Sequence, residues 1–118
     1  MVDAVLKRIN MPTGELNDSE KKHVPVIEAP ESVKADEPFD VTITVGELVK
    51  HPNELGHHIG WIELYWNDVL MARAELGAVF TDPKVTFRVR LDESGKLKAM
   101  ERCNLHGTWG ATKDIKVE

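Results

Sequence analysis

Cysteine is almost missing from this chain: Cys103 is the only one. A single thiol cannot close an intrachain disulfide, which suits a reducing compartment, and the expected location is the cytoplasm. Long apolar runs are missing as well. No stretch approaches the roughly 20 apolar residues that a bilayer-spanning helix needs. Asp3, Lys7 and Arg8 interrupt the place where the apolar centre of a secretion signal would stand. No membrane association is expected. Positive charge is in short supply: 15 Lys and Arg face 20 Asp and Glu, a net charge of −5. That balance argues against nucleic acid as a partner, because phosphate binding needs a basic footprint. No internal repeat, low-complexity tract or interdomain linker breaks the chain. Its 118 residues, 42% apolar and 30% charged, fit one soluble domain with a modest core.

What is present is short strands and frequent turns. Residues 1–22 are expected as an irregular arm. Val2, Val5, Leu6 and Ile9 follow helical spacing before Pro12 and Gly14, and residues 17–22 read as a polar loop. From residue 23 on, the pattern is β. Residues 23–27 read as a short strand with Pro25 at an edge or start, and residues 28–37 as a turn-rich connector. Residues 39–45 alternate most clearly, with Phe39, Val41, Ile43 and Val45 on one face and Asp40, Thr42 and Thr44 on the other. Residues 46–58 form a long loop with three histidines, and loops on a rigid sheet are where function concentrates. Strands are expected over 61–66 and 69–76, joined by an Asn67-Asp68 turn, and over 84–91, 97–102 and 111–117. About seven short strands without a long helix predict an antiparallel, immunoglobulin-like β-sandwich over residues 23–118.

The chemistry gathers at Cys103-Asn104-Leu105-His106-Gly107. A thiolate and an imidazole separated by two residues can reach one metal ion through a tight turn. Two earlier stretches add weight: Lys22-His23-Val24-Pro25, and His51-Pro52-Asn53 with His57 and His58. A lone histidine is ordinarily a packing or surface residue, and a lone buried cysteine is ordinarily inert. Here four of the five histidines flank turns, prolines or the cysteine, and none lies inside an alternating strand, which favours a metal site. Structural zinc takes four ligands, fewer than this chain offers. Blue copper takes a thiolate, two imidazoles and a weak axial Met, and only Met100, ahead of the cysteine, is nearby. Four imidazoles and a thiolate suit iron(II) with its sixth position open, which implies a small reacting ligand. A copper electron carrier and a structural zinc module are the rival readings.

Taken together, three pieces resemble the superoxide reductases of the single-iron type, the neelaredoxins, and the iron domain of desulfoferrodoxin. They are Lys22-His23-Val24-Pro25-Val26-Ile27-Glu28; His51-Pro52-Asn53 with His57-His58-Ile59 and Trp61-Ile62-Glu63; and Cys103 to Gly107 with Trp109. They keep the family's order and span residues 22–109. The resemblance implies an immunoglobulin-like sandwich and one mononuclear iron per chain. His23, His51, His57 and His106 would be its equatorial ligands and Cys103 its axial sulfur. It implies one-electron reduction of superoxide to hydrogen peroxide, with re-reduction by rubredoxin or a similar carrier, and a homotetrameric assembly. Lys22 matches the family's lysine beside the open site, where a cation would draw in superoxide. The four further cysteines of relatives with a second iron domain are absent. One position departs from the family: Lys21 stands where a glutamate usually reaches the oxidised iron. Either Glu20, one residue further away, takes that place by another path, or no side chain does. Asn53 and Asn104 directly follow ligands and are candidates to orient their loops. Trp61, Trp66 and Trp109 read as packing.

Overall fold

A computed structural model describes residue 6 and residues 8–118. Its strands are β1 (Ile9–Asn10), β2 (Pro25–Glu28), β3 (Ser32–Val33), β4 (Phe39–Val45), β5 (Ile59–Trp66), β6 (Val69–Glu75), β7 (Lys84–Val89), β8 (Gly95–Cys103) and β9 (Gly107–Val117), with one helix, α1 (Asp18–His23). They form two sheets. One runs in the order β1-β9-β8-β5-β6, with β3 also on β9; the other runs β2-β4-β7. The long strands pair antiparallel, as the alternation predicts, and β1 and β3 join β9 in parallel. The architecture is the expected immunoglobulin-like sandwich.

Alternation sets which face is buried. In β4, Phe39, Val41, Ile43 and Val45 all point into the core, while Asp40 on the other face pairs with Arg88 of β7. Ile62 and Leu64 of β5 and Leu97, Ala99 and Cys103 of β8 meet them from the opposite sheet, fully buried. Each such aliphatic side chain contributes about 1.5–3 kcal/mol on burial. The β5–β6 hairpin turns on Asn67 and Asp68, both at positive φ (45° and 66°), with Trp66 paired to Val69. That is the two-residue turn whose twist matches the strands, and Asn and Asp tolerate its left-handed backbone.

Near the N-terminus the structure differs from the sequence reading. The helix suggested by Val2, Val5, Leu6 and Ile9 lies mostly outside the described residues, and Ile9 itself is in β1. Residues 17–22 are not a loop, and His23 does not start a strand: it ends α1. Asn17 caps this helix in a reciprocal box. Its side chain accepts the Glu20 N–H, and the Glu20 carboxylate accepts the Asn17 N–H. Asp18 and Glu20 in the first turn and Lys21 and Lys22 in the last suit the helix dipole. Pro25 cannot continue the helix, so the chain passes directly into β2.

Candidate metal centre

Four histidine rings close into a circle at one end of the sandwich. His23 and His51 have ring centroids 4.9 Å apart, His51 and His57 4.7 Å, His57 and His106 4.9 Å, and His106 and His23 4.9 Å. Each ring stands nearly edge-on to its neighbours, at 68–76°. Ligand atoms of His23, His51, His57 and Cys103 lie within 4.8 Å of one another. His106 joins from the sulfur side, its Nδ1 3.7 Å from Cys103 Sγ.

Each side chain arrives by a different local device. His23 is the last residue of α1, one helical turn beyond Ser19, whose carbonyl lies 2.7 Å from its Nδ1. A carbonyl only accepts, so Nδ1 carries the proton and Nε2 keeps its lone pair. His51 repeats the arrangement with the carbonyl of Pro52, 2.7 Å from its Nδ1. Its loop is held by a close approach at Gly46, where φ is +84° and a Cβ would come 2.7 Å from the His51 nitrogen. His57 closes a tight turn with Glu54, their backbones exchanging bonds of 2.9 and 3.1 Å. Cys103 ends β8, and after three intervening residues Gly107 opens β9 with φ +87° and pairs back to Cys103. That three-residue hairpin brings His106 beside the sulfur. Trp109 fastens it, donating its indole N–H to the His106 carbonyl at 3.0 Å and stacking on the His23 ring at 4.9 Å.

The electrostatics suit a cation. Burial pushes the His51 pKa down to about 4, and burial also lowers those of His23 and His57. At neutral pH these three rings are therefore uncharged and offer lone pairs. Burial raises the Cys103 thiol, opposed by the N–H groups of Leu105 and His106 near its sulfur. A bound cation favours the thiolate, so metal uptake releases a proton. The Nε2 atoms of His23, His51 and His57 are buried and have no hydrogen-bond partner. Three buried orphan nitrogens aimed at one another would be costly in an unliganded core. A metal ion gives all three a partner at once, and the residues present therefore fit one.

Among the residues singled out from sequence, the five proposed ligands converge and His58 stays outside the ring. Lys22 lies next to His23 in α1, half-buried, and its charge adds a little to the burial that lowers both His23 and His57. Glu20 is occupied: its carboxylate holds the Asn17 N–H at 2.9 Å. Met100 is no axial ligand, because its sulfur packs beside Gly110 with that of Met11. Three further features escaped the sequence reading. The Asn17-x-x-Glu20 capping box carried a usable signal. Gly46 and the fully buried Glu101 carried none. Neither Glu101 oxygen has a partner, and burial raises its pKa well above the carboxylate range.

A β-sandwich that gathers four imidazoles and a thiolate into one cluster among the described residues defines a metal-binding protein, more ligand-rich than tetrahedral zinc and unlike the trigonal copper sites. A model of the desulfoferrodoxin family matches residues 15–112. The superoxide reductase of Pyrococcus horikoshii is 37% identical over 98 residues, covering 75% of this chain and 83% of that protein. The neelaredoxin of Megalodesulfovibrio gigas is 34% identical over 116 residues, covering 83% of this chain and 89% of that protein. The solved superoxide reductase (neelaredoxin) of Ignicoccus hospitalis superposes with a TM-score of 0.82 at 45% identity, covering 93% of this chain and 95% of that one. The chain belongs to the desulfoferrodoxin family.

Proposed function

We propose that this chain is a superoxide reductase with one mononuclear iron, held by His23, His51, His57, His106 and Cys103. The observation that carries the reading is the convergence of three unpartnered Nε2 atoms and a buried sulfur in the closed imidazole ring, in a family whose named relatives are superoxide reductases. Bound iron supplies the single electron that, with two protons from solvent, turns superoxide into hydrogen peroxide. The chain's own groups do the rest. Five protein donors would leave a six-coordinate iron one position for a small ligand. The Lys22 ammonium, next to His23, would attract the anionic substrate and balance its growing negative charge. Cys103, as thiolate, would donate electron density to the iron, and the amides near its sulfur would temper that donation.

Because no oxygen is produced, each turnover consumes one external electron. The donor is rubredoxin or a small carrier of the same kind, and the setting is the cytoplasm. A homotetramer is the proposed assembly, with residues 1–22 as an arm ahead of the iron-binding unit of residues 23–118. Glu20 is assigned to the helix cap rather than to iron, a reading supported by the bond from the Asn17 N–H to its Oε1. The test is metal analysis and an optical spectrum of the oxidised protein, followed by superoxide addition to the reduced form. One iron per chain, a broad thiolate-to-iron(III) band in the red and oxidation by one equivalent of superoxide are expected. A colourless protein, inert to superoxide after iron loading, would overturn the reading.

A further inference from the structure

The five donors come from three chain segments that no disulfide joins. Cys103 sits on a strand, but His57 sits on a loop, and a ligand on a loop needs support to hold its place. The backbone ladder between β5 and β8 ends at Ile59 and Cys103, just short of His57. Beyond that point the pairing continues through one residue, Asn104. Its backbone N–H donates to the His58 carbonyl at 3.2 Å. Its side-chain Oδ1 accepts the His58 N–H at 2.8 Å, and its Nδ2 donates to the Gly56 carbonyl at 2.9 Å. The two peptide groups flanking His57 are thus both held by the residue that follows Cys103.

We infer that Asn104 is a positioning residue of the metal centre, its carboxamide fixing His57 against Cys103 and so setting how firmly iron is held and how strongly sulfur bonds to it. The inference rests on the proposed iron site. An amide is the group that meets both needs, because it accepts from one neighbour and donates to the other. Without it, His57 keeps its own Glu54 turn, and beyond the Ile59–Cys103 pair the described hydrogen bonds tie that turn to the sulfur-bearing hairpin through the Asn104 N–H alone. Outer partners of metal ligands typically set metal affinity by about 10–100-fold.

A matched control lies at the other end of the same two strands. Asn67 accepts the Lys96 N–H through Oδ1 at 3.0 Å and donates its own N–H to the Lys96 carbonyl at 3.0 Å, far along the ladder from the ring. The experiment compares Asn104→Ala and Asn67→Ala with the unchanged protein, all loaded with iron. It reads three quantities: iron release to a chelator, the energy of the thiolate-to-iron(III) band, and the unfolding midpoint of the metal-free protein. Asn104→Ala is expected to release iron about tenfold faster or more and to shift the band. Asn67→Ala is expected to lower the midpoint while leaving release and band unchanged. Release and band unaltered in Asn104→Ala, or altered equally in Asn67→Ala, would overturn the inference. Failure of the unchanged protein to take up iron would instead overturn the reading of the centre itself.

Discussion

Replacing Gly46 with alanine tests whether His51 is held by the tight bend after β4. Two costs arise there, and they separate. The first is backbone strain: at φ +84°, an L-residue with a Cβ is disfavoured by about 1–2 kcal/mol. The second is steric. The new Cβ would stand 2.7 Å from the His51 nitrogen and 3.2 Å from its Cβ. Because the closest atom is backbone, the loop must move, and overpacking of that kind costs about 1–3 kcal/mol. The sum is about 2–5 kcal/mol against the free energy of folding, with the displacement directed at a ligand. Gly14 supplies the comparison. Its φ is +73°, but a Cβ there meets nothing within 4 Å, so Gly14→Ala carries only the strain of about 1–2 kcal/mol. Urea unfolding of the metal-free variants reads the difference, and metal analysis after iron loading reads its consequence. Gly46→Ala is expected to lose more stability than Gly14→Ala and to retain less iron, while Gly14→Ala loads fully. Equal losses in the two variants, with full iron in both, would refute the argument that Gly46 seats His51.

Further outcomes follow from the same geometry. Cys103→Ser removes the sulfur donor and is expected to abolish the red absorption band of the oxidised protein while the sandwich keeps its circular dichroism; persistence of the band would exclude Cys103 as a ligand. Glu20→Gln keeps an acceptor for the Asn17 N–H and should leave the iron(III) spectrum unchanged, whereas a displaced band would make Glu20 a ligand after all. Asn17→Ala removes the cap of α1 at a cost of about 1 kcal/mol, and because His23 is the final residue of that helix, iron release should quicken as well; chelator kinetics check it. Lys22→Ala should slow the bimolecular reaction with superoxide by up to about tenfold and flatten its dependence on ionic strength, read by pulse radiolysis or stopped flow; an unchanged rate would leave Lys22 an ordinary surface cation.

Much of this protein is written in signals that span only a few residues. Alternation over Phe39–Val45 specifies a strand with one buried face, and Asn67-Asp68 specifies a two-residue hairpin, because both effects depend on neighbouring side chains and on local backbone preference. The donor chemistry of Cys103-x-x-His106 is local for the same reason. The Asn17-x-x-Glu20 box belongs in this class too: it was legible, and it explains why a polar segment is a helix. Tertiary structure alone decided the rest. Closure of His23, His51, His57 and His106 into one ring depends on packing two sheets together. The orphaned Nε2 atoms are known only once Ser19 and Pro52 are seen to occupy the other nitrogens. Asn104 meets its partners across 46 and 48 residues of sequence, and Gly46 matters only because the loop returns upon it. Contacts between distant segments form when the hydrophobic core orders the chain, and the cost of bringing them together is met by burial spread over the whole domain. No short window contains that information, so the ligand types could be read from the sequence and their arrangement from the fold.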